Sequence, residues 1–236
     1  MNELGTTLPP HKHPKLHREL LRRHKLHWTE SYSRLTTIIS IALFLISITA
    51  NYFAEIYATE RASSSVTDII LSNTPALDVD GIYVYGAIAG IIFMIAVLIA
   101  NPKRIPFTFH SFTLFYFTRA IFITLTHIGP FQAQASYDFG TILTTFFLGG
   151  GLFFSGHTGA PFLMALLFWK EKKLRYIFIA LSLLFATTGL LGHLHYTIDV
   201  VSAYFITYTI FHISCFLFKK DHILFHNELD AIPQRQ

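Results

Sequence analysis

Six strongly apolar runs constrain this chain more than any other feature of its sequence. Each is long enough for a helix to cross the hydrocarbon core of a bilayer, which takes about 20 residues. Only 14% of the 236 residues are charged, whereas a soluble domain usually carries about 25%. The sequence therefore predicts an all-α integral membrane protein, a six-helix bundle. The runs cover residues 35–55, 83–100, 107–128, 152–169, 176–192 and 196–218.

The basic residues predict the orientation of the bundle. Lys and Arg are concentrated before the first run, between runs two and three, between runs four and five, and after run six. The other connections hold only Arg61, against five acidic residues: Glu60, Asp68, Asp78, Asp80 and Asp138. Because positively charged connections stay in the cytoplasm, we expect both termini there.

This orientation divides the chain into three expected parts. Residues 1–34 form a basic cytoplasmic segment, 35–218 a catalytic membrane domain, and 219–236 a cytoplasmic tail. Two alternatives stay open for the stretch 11–30, which is rich in His, Lys and Arg. It is either a helix lying on the anionic leaflet or a disordered basic tail.

Two polar motifs lie at the edges of apolar runs, Phe154-Ser155-Gly156-His157-Thr158 and His193-Leu194-His195-Tyr196-Thr197-Ile198-Asp199. Ionisable residues are costly near lipid, so each motif is a functional-site hypothesis. His195 and Asp199 share a helical face if the sixth helix begins near Tyr196. Asp199 then accepts a hydrogen bond from one ring nitrogen, which leaves the other nitrogen to attack phosphorus. A His–Asp pair that only pins the helix end remains the alternative.

The first motif predicts an anion-binding start of a helix. Gly156 permits close backbone approach, and Ser155 or Thr158 supplies the cap. Backbone N–H groups at a helix start bind anions. We expect Thr158 to be the cap, because Pro161 would then lie in the first turn. The alternative is that the glycines only make the start of the helix flexible and have no binding role.

Arg119 is the only Lys or Arg inside any apolar run. Its guanidinium matches the geometry of phosphate, and reaching the interface from about nine residues inside the run is strained. His193 could line the same site, or ligate a metal together with His195 and Asp199. No further acidic or cysteine cluster completes a metal site, so we expect no metal.

These motifs resemble the sphingomyelin synthase family, within the type 2 phosphatidic acid phosphatase superfamily. The resemblance covers about residues 75–217. Phe154–Thr158 resembles the third family motif, and His195–Val201 with Ala203–Thr207 resembles the fourth. Arg119, within Tyr116–Ala120 and ahead of Leu125-Thr126 and Pro130, resembles the arginine of the second motif.

The resemblance implies a role for each of these residues. His195 is the nucleophile, oriented by Asp199, and His157 protonates the leaving group and then deprotonates the acceptor. Arg119 holds phosphate. Ser155, Gly156, Thr158 and His193 complete the substrate-binding set. The family has six spans, an extracytoplasmic site, and neither a cofactor nor a metal.

The implied function is a membrane phosphotransferase of sphingolipid metabolism that uses a phosphohistidine intermediate. It moves phosphocholine from a glycerophospholipid donor to ceramide or diacylglycerol; nucleic acid is not a partner. The expected location is a plasma or inner membrane, or the Golgi or endoplasmic reticulum of a eukaryote. The alternatives are a lipid phosphate phosphatase, a phospholipid hydrolase, and a transporter or lipid-binding protein.

Two positions depart from the family patterns. Gly189 stands six residues before His195, where the phosphatases have an arginine, and this favours the synthase branch. Gly151 stands four residues before Ser155, where the synthases have an acidic residue. The second departure weakens the expectation of a phosphocholine donor.

Overall fold

The structure, a computed structural model, describes residues 16–131 and 151–226. Within these ranges the chain is helical and contains no strand, which confirms the all-α class. Asp138 and Arg235, two of the charged residues that predict the orientation, lie outside the described residues. The described helices are α1 (Leu16–Thr29), α2 (Ser31–Glu60), α3 (Asp80–Ala100), α4 (Ile105–Leu125), α5 (Gly156–Leu167), α6 (Lys172–Leu191), α7 (Thr197–Leu217) and α8 (Lys219–His226).

Four of these helices, α2, α3, α6 and α7, are long and apolar enough to cross a membrane. They expose large apolar side chains, among them Phe53 on α2, Ile92 on α3, and Phe205 and Phe216 on α7. Apolar surface on this scale needs an apolar environment. The four helices therefore support an integral membrane protein.

The other two expected spans, α4 and α5, differ from these four. α4 is 21 residues long but carries the polar side chains of His110 and Arg119. α5 has only 12 residues, about 18 Å of helix, whereas the hydrocarbon core is about 30 Å thick. That all six runs cross the membrane stays a prediction.

The start of α5 corrects one expectation from the sequence. Ser155, and not Thr158, is the N-cap, because its hydroxyl accepts the Thr158 N–H at 3.3 Å. Pro161 consequently lies inside the helix, beyond its first turn, where it removes one helical hydrogen bond. The helix begins earlier because Ser155 satisfies an N–H that no helical carbonyl reaches.

The short helix α5 occupies the centre of the bundle. It packs against α4, α6 and α7, while α4 runs along α2 and α3 packs on α6. Gly159 permits the close packing of α5, because a Cβ there would lie 2.8 Å from both Phe115 and Thr207. The neighbouring helices thereby approach the start of α5, where the first motif lies.

The α2–α3 connection covers the start of α7. Asp68 accepts hydrogen bonds from the backbone N–H and the hydroxyl of Thr197, at 2.8 and 2.7 Å. Burial raises the pKa of Asp68, but these donors and the backbone N–H groups of Ile70 and Leu71 outweigh it and hold the pKa below its usual value. The carboxylate is therefore a charged cap for α7.

The opposite end of the bundle is tied together by Asp221 of α8. Its carboxylate lies 2.9 Å from His110 Nδ1 and accepts hydrogen bonds from Tyr32 at 2.7 Å and Thr36 at 3.0 Å. These contacts join α8 to α2 and α4. The described part of the basic segment, 16–29, is a helix and not a disordered tail.

The expected orientation can be tested by labelling single cysteines in a Cys215→Ala background. Ser64 and Lys172 are both exposed and lie at opposite ends of the bundle. We expect an impermeant thiol reagent to label Ser64→Cys in intact cells and Lys172→Cys only after permeabilisation. Labelling of Lys172→Cys alone in intact cells would reverse the orientation.

Candidate active site

A direct hydrogen bond joins the two motifs. The backbone N–H of Ser155, just before α5, donates to the carbonyl of Asp199 in the first turn of α7, at 3.1 Å. Both residues are fully buried. The segments that carry His157 and His195 are therefore held together, although about forty residues separate them.

His195 and Asp199 face each other at the start of α7. His195 Nδ1 lies 3.5 Å from Asp199 Oδ2, and both side chains are buried. The same carboxylate oxygen accepts the backbone N–H of Tyr196, the N-cap of α7, at 2.9 Å. The 3.5 Å separation exceeds a normal hydrogen bond, and such contacts often tighten when substrate binds. His195 precedes the N-cap and so lies outside the helix, but the two side chains are close and Nδ1 is the nitrogen that faces the carboxylate.

Tyr83 of α3 connects the two histidines. Its ring lies 4.1 Å from the His157 ring, measured between centroids. A Cβ at Gly189 would lie 3.5 Å from the Tyr83 ring and 3.9 Å from His195 Cδ2. Tyr83 and His195 therefore meet beside Gly189, and His195 lies within electrostatic range of His157. No sequence motif marks Tyr83 as part of this site.

Arg119 reaches the first motif from α4. Its Nε donates to the carbonyl of Phe154 at 3.0 Å, and Nη2 donates to the carbonyl of Gly151 at 2.7 Å. A Cβ at Gly156 would lie 3.2 Å from Nε. The guanidinium is buried at the motif and does not extend to the membrane surface. Gly156 thus permits a close approach of the backbone to Arg119, and its contact with an anion stays a prediction.

A buried carboxylate from α2 neutralises Arg119. Nη1 of Arg119 donates to Asn51 Oδ1 at 3.2 Å and to Glu55 Oε1 in a short ion pair. The four described hydrogen bonds use four of the five guanidinium N–H groups. One N–H, on Nη2, is left for a phosphate oxygen. Most N–H groups of the Arg119 guanidinium therefore bind protein groups, and few remain to bind a substrate.

Glu55 occupies the space that a side chain at position 151 would need. Its Oε2 accepts the Gly151 N–H at 2.8 Å, and a Cβ at position 151 would lie 2.1 Å from this oxygen. No left-handed φ requires glycine at position 151, so the carboxylate alone excludes a side chain. An acidic side chain therefore lies beside position 151, and it comes from α2.

Two residues of the predicted substrate-binding set, His193 and Thr158, contact neighbouring helices and connections. His193 has a left-handed φ of 54°, and its ring lies 5.2 Å from that of Phe131 and 3.5 Å from Thr74 Oγ1. Thr158 is buried, and its carbonyl accepts the Ser182 hydroxyl at 2.7 Å. Both residues are fixed by the surrounding helices and connections. Their roles in binding stay predictions.

A family model matches the segment that carries both histidine motifs. Residues 149–216, which contain both histidine motifs, match the family model described as PAP2 superfamily C-terminal. The match supports membership of the type 2 phosphatidic acid phosphatase superfamily. Members are typically phosphatases or phosphotransferases, so the match supports an enzyme that acts on lipid phosphates. No curated protein and no solved structure matches the chain.

The pairing of His195 with Asp199 can be tested by Asp199→Asn. The amide oxygen still accepts the Tyr196 N–H, so we expect a folded protein. Because the imidazole loses its orienting charge, turnover should fall by about 10²–10⁴-fold. The matched control is Asp221→Asn, which alters the other buried His–Asp pair and should leave turnover per folded molecule unchanged. Near-normal turnover of Asp199→Asn would remove Asp199 from the site.

Proposed function

We propose that this protein transfers a phospho-headgroup from a glycerophospholipid to a lipid alcohol through a phosphohistidine at His195. The proposal rests on one observation, the Ser155–Asp199 hydrogen bond that joins the two histidine motifs. Around this contact, α4 contributes Arg119 and α3 contributes Tyr83. Phosphocholine is the proposed headgroup, and ceramide or diacylglycerol is the proposed acceptor.

The first half-reaction forms the phosphoenzyme. His195 Nε2, the nitrogen turned away from Asp199, attacks phosphorus with its lone pair. The bond from phosphorus to the diacylglycerol oxygen breaks, and this oxygen takes the proton that His157 carries. Asp199 holds the Nδ1–H and stabilises the positive charge that the ring gains. The step leaves His157 neutral.

The second half-reaction returns the enzyme to its starting state. Neutral His157 removes the proton from the acceptor hydroxyl, and the acceptor oxygen bonds to phosphorus. The phosphorus–nitrogen bond breaks, and its electron pair returns to His195. His157 is again protonated, so protons and charges balance over the cycle.

Two groups stabilise the phosphate charge in this proposal. One N–H of Arg119 Nη2 is without an acceptor among the described residues, and the guanidinium lies against Gly156 of the first motif. The start of α5 directs backbone N–H groups and its positive dipole end toward the same region. Charge stabilisation by fixed donors is strongest where water is excluded.

The burial of the site favours a lipid acceptor over water. His195 is 7% exposed and Asp199 is not exposed at all. Tyr83 and Phe185 place aromatic rings beside His157, with centroids 4.1 and 5.8 Å from that of the imidazole. Such surroundings exclude water and suit an alcohol that enters from the bilayer.

An assay with headgroup-labelled phosphatidylcholine tests the proposal. Purified protein receives the donor together with ceramide or diacylglycerol. We expect label in a new phospholipid to accumulate faster than free phosphocholine. Water-soluble headgroup as the main product, unaffected by added lipid alcohol, would replace the transferase with a hydrolase.

The double role of His157 predicts a defect in both half-reactions. Proton transfer by a placed side chain contributes about 10²–10⁴-fold, so His157→Ala should slow phosphoenzyme formation and its discharge by that order. Rapid-quench measurement of the labelled protein separates the two steps. If His157→Ala slows neither step, the proton carrier is another residue.

A further inference from the structure

The end of the bundle opposite the candidate active site holds a basic recess. Its volume is about 480 Å³, and it lies among α1, α8 and the connections that precede α4 and α6. Two acidic residues, Glu19 and Glu171, also line it. Five positive and two negative side chains leave an excess of three positive charges. The basic lining residues are Arg22, Arg23, Lys103, Arg104 and Lys170.

The two carboxylates of the recess each form ion pairs with arginine side chains. Glu19 accepts from Arg22 Nε and Arg23 Nε, each at 3.0 Å. The hydrogen bonds from Arg22 and Arg23, in this order, lower the pKa of Glu19 to about 2. Glu171 lies 2.5 Å from Arg104. Because each acid is already paired with arginine side chains, the lining as a whole stays positively charged.

Arg104 is held in a fixed position for a further acceptor. Its guanidinium lies over the rings of Phe168 and Phe225, 5.0 and 5.4 Å from their centroids. Its Nε is buried and has no hydrogen-bond partner within the described residues. A buried N–H without an acceptor is costly. Arg104 also lines the recess, so a bound anion would lie beside its guanidinium.

The pKa of His226 on α8 responds to the same excess of positive charge. Burial lowers its pKa to about 4, with further contributions from the positive charges of Lys170, His222, Arg104 and Lys103. A bound anion would oppose these charges and raise the pKa. The ring therefore provides a spectroscopic probe of occupancy.

The recess lies where a membrane surface would meet the protein. α1 forms one wall, and His24 Nε2 lies 2.8 Å from the carbonyl of Ile99 at the end of α3. Leu21, Leu26 and Trp28 of α1 are exposed apolar side chains. A basic helix with such side chains suits the headgroup region of a bilayer. Phosphates of lipid headgroups lie at this level.

We propose that this recess binds a phosphate group, carried by an anionic lipid of the adjoining leaflet or free in solution. Arg104, Arg23 and Lys170 supply positive charge from the lining of the recess. The site is separate from His157 and His195, and the proposal does not depend on the function of those residues.

Binding is measured on the purified full chain carrying His195→Ala, which prevents turnover of the probes. Native mass spectrometry compares phosphatidic acid with phosphatidylcholine. We expect phosphatidic acid to be preferred. Arg23→Gln with Lys170→Gln should weaken its binding by about 30-fold, from roughly 1 kcal/mol for each basic residue. The matched control, Lys219→Gln with Lys220→Gln, removes two exposed lysines of the same end that do not line the recess.

A second readout and a competition complete the test. NMR titration of His226 should show its pKa rising when phosphatidic acid or inorganic phosphate binds. Displacement of phosphatidic acid by inorganic phosphate assigns the recess to soluble phosphate, and retention assigns it to lipid. The proposal is overturned if neither probe binds, or if the control variant loses as much affinity as the recess variant.

Discussion

His195→Ala abolishes both turnover and the covalent phosphoenzyme, because it removes the atom that attacks phosphorus. Loss of a nucleophile that works with a partner residue costs at least about 10⁴-fold. The measurement is lipid turnover together with trapping of label on the acid-quenched protein. Asp199 keeps its hydrogen bond to the Tyr196 N–H in the variant, so we expect the start of α7 to remain folded.

A histidine elsewhere in the same helix controls for the loss of an imidazole. His212 lies on α7, is exposed, and its Nδ1 is 2.9 Å from the carbonyl of Tyr208. His212→Ala should therefore retain turnover and phosphoenzyme. If His195→Ala retains near-normal activity in purified protein, His195 is not the nucleophile.

Glu55→Ala lowers the free energy of unfolding by about 3–5 kcal/mol, because it leaves a buried arginine without its counter-charge. Glu55 and Arg119 are both buried and paired. Glu55 also accepts the Gly151 N–H, so its loss loosens the segment that leads to Ser155. We expect a lower denaturation midpoint in detergent and a matching loss of turnover. Glu60→Ala, at the exposed end of the same helix, is the matched control.

A second substitution, at position 151, can restore a negative charge beside Arg119. In the Glu55→Ala background a side chain at position 151 no longer meets the carboxylate, so Gly151→Asp places an acid beside Arg119. We expect the double variant to regain part of the lost stability. Gly151→Ala alone should destabilise, because its Cβ would lie 2.1 Å from Glu55 Oε2. Equal midpoints for Glu55→Ala and Glu60→Ala would show that the ion pair does not stabilise the protein.

The apolar runs predicted where the helices lie, because hydrophobic length is a local property of the sequence. Each of the six runs overlaps a helix of the structure. The length of α5 was not predictable in this way, because Ser155 sets its start through a single hydrogen bond. The lengths of the apolar runs therefore predict where the helices lie more reliably than they predict how many helices cross a membrane.

The candidate site was predictable only where its residues carry a motif. His157, His195, Asp199 and Arg119 follow from residue type and spacing, and the structure brings them together. Glu55 is different, because its partner Gly151 lies 96 residues away. Its position as an acid in an apolar helix, four residues after Asn51, was the available signal. Tyr83 gave no signal, since one more aromatic in an apolar run is unremarkable in a chain with 11 Tyr and 24 Phe.

A pulse–chase measurement can show whether a headgroup passes through His195 to a lipid alcohol. The purified protein is pulsed with headgroup-labelled phosphatidylcholine, freed of donor, and chased with diacylglycerol or ceramide. We predict label on the peptide that contains His195 after the pulse, and label in a new phospholipid after the chase. Label on any other residue, or its release only as free phosphocholine whatever acceptor is added, would contradict the account.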